Sequence, residues 1–279
     1  MISYALIGYP LGHTASPFIH RELFALSGRE GDYAALEIPP QELPGRIEGL
    51  RALGGFNVTI PHKLAIQPLL DRLEESARLC GAVNTVKTDG GELVGYNTDM
   101  DGFLHAVPEE LLTPGSRVTV LGAGGAATMF AHVLDRRGCR VTLAVARRTL
   151  EKAGRLAAGL EHPAQVVLLE QVRGGDLIIN ATPVGMYPGA EESPLPEGAL
   201  QGCRAVFDAV YNPAETALLR QARAAGCRTY GGAAMLVWQA AAAHSIWYGA
   251  QFDPAEMQAL IRRTEEYVGL HFGKGGNRT

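Results

Sequence analysis

The sequence predicts an α/β protein of two domains, and three observations carry the prediction. The run Arg117–Leu121, made of β-branched and apolar residues, leads directly into Gly122-Ala123-Gly124-Gly125. An alanine-rich helical pattern follows from Ala126 to Arg137. Strand and helix patterns alternate along most of the remaining chain, which implies sheets covered by helices. The length of 279 residues lies where single hydrophobic cores stop growing, about 250–300 residues, so two domains are expected.

The first hundred residues alternate element by element. Ile2–Gly8 reads as a strand. Ser16 and Pro17 open a helix to about Ser27, Ser16 as N-cap and Pro17 at the first helical position. Asp32–Ile38 reads as a strand, Gln41–Leu53 as a helix ended by Gly54-Gly55, and Phe56–Ile60 as a strand broken by Pro61. Helical segments are expected over His62–Leu70 and Arg72–Cys80. Ala82–Thr88 and Glu92–Tyr96 read as a hairpin around Asp89-Gly90-Gly91. A helix follows Thr98-Asp99 toward Val107, and the domain boundary is placed near residue 100.

The second domain continues with strands at Arg140–Ala146, Gln165–Leu169, Leu177–Thr182, Ala205–Val210 and Arg228–Tyr230, a pattern that predicts a parallel sheet. From Ala233 to Leu270 the chain reads as helix with a break at Gly249–Pro254. No strand follows those helices, so they are expected to return to the first domain. The tail GKGGNRT is expected to be disordered.

Composition narrows the function classes. The chain is 47% hydrophobic and 19% charged with a net charge of −4 and no polybasic run, which argues against nucleic acid as a partner. Cys80, Cys139, Cys203 and Cys227 are scattered without a C-x-x-C spacing and read as reduced thiols of a cytoplasmic protein. The start reads as a strand, not as a signal peptide, and no transmembrane helix is expected. The eight histidines show no helical H-x-x-x-H pair, so no metal site is expected. His13, His62 and His244 read as structural or peripheral, and Trp238 and Trp247 as packing residues.

The glycine turn lets backbone approach a pyrophosphate closely, and the N–H groups at the start of the following helix face the anion. Ala127 stands where the third glycine of the usual fingerprint falls. The turn points to a nicotinamide or flavin cofactor. In such a fold the second strand ends near the adenosine ribose, where a carboxylate selects NAD and basic groups select NADP. Here Arg147, Arg148, Thr149 and Lys152 follow that strand, with no carboxylate before Glu151. This favours a 2′-phosphate, against the bland alternative of a solvated basic loop.

Polar residues cluster at strand ends of the first domain: Thr14 and Ser16, Thr59, Lys63, Asn84, and Asn97-Thr98-Asp99. Each has a bland reading as well. Ser16 and Asp99 are suited to capping helices, and Asn84 to bonding a turn. Lys63 stands at a helix start, where the dipole disfavours a cation.

Eight segments, in one order over nearly the whole chain, resemble the shikimate dehydrogenase family. They are GYPLGHTASPFIH at 8–20, GFNVTIPHK at 55–63, GAVNTV at 81–86, GYNTDMDGF at 95–103 and the glycine turn at 122–127. The others are NATPVGM at 180–186, YNPAET at 211–216 and GGAAMLVWQAA at 231–241. The resemblance implies reversible reduction of 3-dehydroshikimate to shikimate with NADPH, in chorismate and aromatic amino acid biosynthesis. It implies an α/β substrate domain from residues 1–100 plus 238–279 and a Rossmann-type NADP-binding domain from 101–237.

It further implies Lys63 as the catalytic lysine with Asp99 as its partner. Thr14 and Ser16 would hold the substrate carboxylate, and Thr59, Asn84, Tyr211 and Gln239 would bind substrate. Gly122, Ala123, Gly124, Gly125 and Ala126 would take the pyrophosphate, Arg147 to Lys152 the adenosine phosphate, and Gly232 would lie near the nicotinamide. Glu75 is a further cofactor-side match.

This chain departs from the family pattern twice. Thr14 replaces the usual serine, and Arg147 stands where the loop usually reads asparagine. A dehydrogenase using both quinate and shikimate, and a ligand-sensing protein on the same scaffold, remain as alternatives. A homodimer stays open.

Overall fold

The computed structural model describes residues 2–12 and 14–272. The tail GKGGNRT and His13 lie outside the described residues. The chain forms two compact units: residues 2–102 with Val237–Thr264, and Phe103–Leu236 with residues 265–272.

In the first unit, β1 (Ile2–Gly8), α1 (Ser16–Leu26), β2 (Gly31–Glu37), α2 (Leu43–Leu50) and β3 (Gly55–Val58) follow in order. Then come α3 (His62–Ala65), β4 (Arg72–Leu73), α4 (Glu75–Cys80), β5 (Thr85–Asp89), β6 (Glu92–Tyr96) and the start of α5 (Asp99–Ala106). The strands form one sheet in the order β2-β1-β3-β5-β6-β4. β1 is parallel to β2 and β3, while β5 is antiparallel to β3 and β6. β6 therefore runs the same way as β1 and β3, and the C-terminal ends of all three share one edge of the sheet. The N-terminal end of β5 falls on that edge too.

Two local expectations are corrected. The helix expected over Arg72–Cys80 starts only at Glu75, because Arg72 and Leu73 pair in parallel with Val94 and Gly95 of β6. Ser16 is not the N-cap of α1. Ala15 holds that position without a side-chain bond, and the turn is closed one residue earlier, where Thr14 Oγ1 accepts the Ser16 N–H at 3.2 Å.

Apolar residues from one face of this sheet and from α2 form a core, including Ile7, Ile47, Phe56, Val86 and Leu93. α9 (Gly232–Tyr248) adds Trp247 to Tyr4 and Phe24, and the Trp247 indole donates to the Val86 carbonyl at 2.9 Å. α10 (Pro254–Phe272) closes the described chain, so the helical reading with a break holds for both final helices.

The second unit contains β7 (Arg117–Leu121), α6 (Gly125–Arg136), β8 (Arg140–Val145), α7 (Leu150–Ala158), β9 (Gln165–Leu168) and β10 (Leu177–Asn180). β11 (Ala205–Asp208), α8 (Ala217–Ala224) and β12 (Arg228–Gly231) complete it. The sheet order is β12-β11-β10-β7-β8-β9, and every pairing is parallel. The order reverses between β7 and β10, which is the topological switch point where open α/β sheets bind ligands. Among the described residues no helix is long and apolar enough to cross a membrane.

Candidate active site

The shared edge of the first sheet gathers candidate residues from four connections. Thr14 and Ser16 follow β1, Thr59 and Lys63 follow β3, Asn84 precedes β5, and Asn97 to Asp99 follow β6. Backbone bonds lock these segments together. The Thr59 N–H donates to Ile7, Val58 to Asn84, Val83 to Lys63 and Asn84 to Tyr96, at 2.8–3.1 Å. The lysine backbone is thus pinned to the residue before Asn84.

Lys63 Nζ donates to Asp99 Oδ2 at 2.6 Å, and Asn84 Nδ2 donates to Asp99 Oδ1 at 2.8 Å. The side chains of Lys63 and Asp99 are 30% and 22% exposed, so the couple is only partly covered. Asp99 is the first residue of α5. There its charge suits the helix dipole, but its carboxylate is engaged by Lys63 and Asn84, so the bland capping role is not the one it plays.

The orientation of the Asn84 amide follows from its neighbours. A backbone N–H can only donate, and the Thr98 N–H lies 2.8 Å from Asn84 Oδ1. The Asn84 NH₂ must therefore face the carboxylate. Thr85 Oγ1 also donates to Asn84 Oδ1, at 3.0 Å, and Asn57 Nδ2 donates to Thr85 Oγ1 at 3.0 Å. Tyr33 donates to Asn57 Oδ1 at 2.8 Å. The polar residues Asn57 and Thr85 are buried and were not among the expected site residues. Their polarity on strands otherwise directed at the core was the available signal.

Gln239 of α9 meets Thr98 Oγ1 at 3.5 Å. Thr14 Oγ1 lies 3.2 Å from Ser16 Oγ, so these hydroxyls form a pair at the start of α1. Thr59 is half-buried at the end of β3, and Glu75 is exposed at the start of α4.

In the second unit, Gly122 to Ala126 occupy the turn after β7, next to the loop after β10. Gly122 has φ +106°, and a Cβ there would lie 3.0 Å from Thr182 Cγ2. Both facts require glycine. A Cβ at Gly124 or Gly125 would meet no protein atom within 4 Å, so the space above them is open. Gly124 caps α6 without any side-chain bond. The first-turn N–H groups of a helix capped in this way stay available to an anion.

Arg147, Arg148 and Thr149 form a 3-10 turn after β8, and Lys152 follows in α7. Arg147, Arg148 and Lys152 are exposed, while Glu151 is paired with Arg155. The glycine turn and this basic turn fit a dinucleotide bearing an extra phosphate: open glycine backbone for the pyrophosphate, and for the dianion exposed cations whose neighbouring carboxylate, Glu151, is taken by Arg155.

The loops beside this turn are held by a carboxylate that the sequence did not single out. Asp208 is fully buried and accepts from Asn180 Nδ2 (2.9 Å), Val210 N (3.0 Å) and Thr216 Oγ1 (2.6 Å). Burial raises its pKa, and these three bonds oppose the rise. Asn180 in turn accepts from the Thr182 N–H at 3.0 Å. Tyr211 lies between β11 and α8 in the same unit. Gly232 opens α9, and a Cβ there would lie 2.5 Å from the Ala209 carbonyl oxygen, so close backbone approach alone demands glycine at this position.

A parallel sheet of this order with a glycine turn at its switch point, in a chain that also carries an oriented ammonium–carboxylate couple, defines the class: a Rossmann-type oxidoreductase of two α/β units. Residues 6–86 match the shikimate dehydrogenase substrate binding domain. The chain is 42% identical over 271 residues to the shikimate dehydrogenase (NADP(+)) of Moorella thermoacetica, covering 92% of each. The crystal structure of shikimate 5-dehydrogenase from Thermus thermophilus in complex with NADP(H) and shikimate superimposes with a TM-score of 0.86. It is 38% identical and is matched over 95% of this chain and 100% of that one. The ligand-free 5-ketofructose reductase of a Gluconobacter strain is also similar, with a TM-score of 0.83 and 31% identity over 94% of this chain and 98% of that one. The chain belongs to the shikimate dehydrogenase family.

Proposed function

We propose that the protein reduces 3-dehydroshikimate to shikimate reversibly with NADPH, in chorismate and aromatic amino acid biosynthesis in the cytoplasm. The observation that carries this reading is the Lys63–Asp99 couple at 2.6 Å, oriented by Asn84 on the sheet edge where the other candidate substrate residues emerge. The family membership narrows the chemistry to this substrate class. NADPH, when bound, supplies the hydride. Gly122 to Ala126 hold its pyrophosphate and Arg147, Arg148, Thr149 and Lys152 its 2′-phosphate.

Lys63 gives a proton to the developing alkoxide, or takes one in the reverse direction, and its ammonium stabilises negative charge on that oxygen. Asp99 has one oxygen on Lys63 and one on Asn84. It orients the lysine and accepts from the substrate hydroxyl. Thr14 and Ser16 hold the substrate carboxylate as a pair of hydroxyls, and Thr59, Gln239 and Tyr211 complete the binding set.

The test is absorbance at 340 nm with shikimate or quinate and NADP⁺ or NAD⁺. The wild type is expected to reduce NADP⁺ with shikimate. Lys63→Ala is expected to lose turnover by about 10²–10⁴-fold, the usual contribution of a positioned acid–base group, while shikimate still binds. Near-full activity of that variant would remove Lys63 from the chemistry.

A further inference from the structure

Asn97 does not reach Lys63, yet both ends of its side-chain amide are spent on the segments that carry Asp99 and the groups that orient it. It is 2% exposed. Its Oδ1 accepts the Asp99 N–H at 2.9 Å, its Nδ2 donates to the Ala82 carbonyl at 2.9 Å, and its backbone N–H donates to Ser76 Oγ at 3.1 Å. The first of these bonds fixes the backbone that carries the carboxylate. The second fixes the segment that carries Asn84, two residues on, whose amide meets the other carboxylate oxygen. The third ties the turn to α4. One buried amide therefore sets the distance between Asp99 and both groups that orient it.

We infer that Asn97 is a positioning residue of the acid–base couple, acting through the Asp99 backbone and the Ala82–Asn84 segment. The inference rests on the reading that Lys63 and Asp99 carry the proton transfer. Misplacement of a reacting group by about 1 Å costs roughly 10²-fold in rate, and loss of the bonds from Asn97 frees motion of that order. The neutral side chain does this without adding a charge beside the couple.

The experiment compares Asn97→Ala, Asn97→Ser and Ser76→Ala in shikimate oxidation, with shikimate deuterated at the carbon that loses hydride. Asn97→Ala is expected to lower kcat on the order of 10–100-fold and to raise the deuterium isotope effect on kcat, because the chemical step becomes limiting. A residue that only supports stability would lower Tm and leave that isotope effect unchanged. Asn97→Ser is expected to fall between Ala and wild type. A serine hydroxyl can accept the N–H two residues on, as Thr14 does for Ser16, but cannot also reach Ala82. Ser76→Ala should show a smaller loss in the same direction.

If Asn97→Ala does not fold, the other two variants carry the test, and wild-type kcat in both overturns the inference. So does a kcat within two-fold of wild type with an unchanged isotope effect in Asn97→Ala.

Should the wild type not oxidise shikimate at all, the functional reading fails separately. Positioning is then read from NMR of ¹³C-dimethylated lysines. The chain has four, Lys63, Lys87, Lys152 and Lys274, and Lys63 is assigned by its loss in Lys63→Arg. Its resonance is expected to move in Asn97→Ala, and an unmoved resonance overturns the inference.

Discussion

Lowering the pH from 7.5 to 5 is expected to destabilise the first unit through two buried histidines. His20 of α1 and His244 of α9 are both fully buried, with His20 Nδ1 and His244 Nε2 2.8 Å apart. The proton positions follow from the far end of the network. Ser27 Oγ donates to the Phe24 carbonyl at 3.0 Å, so Tyr248, 3.2 Å away, must donate to Ser27. His244 Nδ1 then donates to the Tyr248 oxygen, and His20 Nδ1 donates to His244 Nε2. This leaves only the His20 Nε2 lone pair without a partner, which matches the one unsatisfied atom of the network. A proton added there would find no acceptor in an apolar surround.

Burial pushes the His244 pKa down to about 3, and burial together with His244 holds His20 well below its usual value. Both histidines are thus neutral in the folded chain and charged in the unfolded chain below pH 6.5. The unfolded state binds the extra protons, so the contribution is complete above pH 6.5 and is lost as pH falls from there toward the folded values. For a shift of the size seen at His244, going from pH 7.5 to 5 costs about 2 kcal/mol, and for the pair roughly 2–4 kcal/mol.

At ~2–4 °C per kcal/mol for chains of this size, Tm of the unit should fall by roughly 4–15 °C. Asp71, held at about 2 by its hydrogen bonds from Arg51 and the Leu93 N–H, titrates below this window, and the comparison with His244→Gln isolates the share of the histidine pair. Calorimetry across pH 7.5–5 on wild type and His244→Gln reads the slope, which survives even if the variant is less stable throughout. An identical slope in both proteins would refute the neutral, buried assignment. The same scan should show shikimate affinity falling with Tm, because α1 carries Ser16 and α9 carries Gln239.

Two further outcomes are expected. Arg148→Ala should weaken NADP⁺ binding by about 10–100-fold, the worth of a charge-assisted hydrogen bond, and leave NAD⁺ nearly unchanged. Equal loss for both cofactors in fluorescence titration would show that Arg148 does not read the phosphate. Asp208→Asn should lower Tm of the second unit and raise KM for NADP⁺ with little change in KM for shikimate. The amide brings an NH₂ group to a place where three donors already point, at a cost of about 1–3 kcal/mol per unmade bond. An unchanged cofactor KM would confine Asp208 to folding.

Element order was readable because apolar periodicity and glycine turns are local. The strand–glycine–helix unit at residues 117–136 and the break between the last two helices are cases in which neighbouring residues alone decide the outcome. Arg72–Leu73 failed because its partner is β6, some twenty residues away, and two residues of extended chain carry no period. Ser16 failed because the cap depends on the backbone of Ala15 and not on residue type. Lys63 and Asp99 stood out at strand ends, and the geometry adds that they touch. Asn57, Thr85 and Asp208 were silent, since a buried polar side chain shows its purpose only when its partners across the sheet are known.

The support of the couple has a consistent chemical character. Each side chain in the bonded frame behind the Lys63–Asp99 couple (Asn84 and Asn97, then Thr85, Thr98, Asn57 and Tyr33) is an amide or a hydroxyl. A neutral dipole costs far less to bury than a charge, and when fully bonded it rigidifies without titrating. A charged support would have coupled its own protonation to that of the lysine. With neutral support, the proton on Lys63 can come and go while the frame keeps one hydrogen-bond pattern. The buried histidines obey the same logic by a different route, because a network that consumes every donor leaves no low-energy place for a second proton. Substitutions that insert a carboxylate into this frame should therefore damage the pH dependence of turnover more than isosteric neutral ones damage stability.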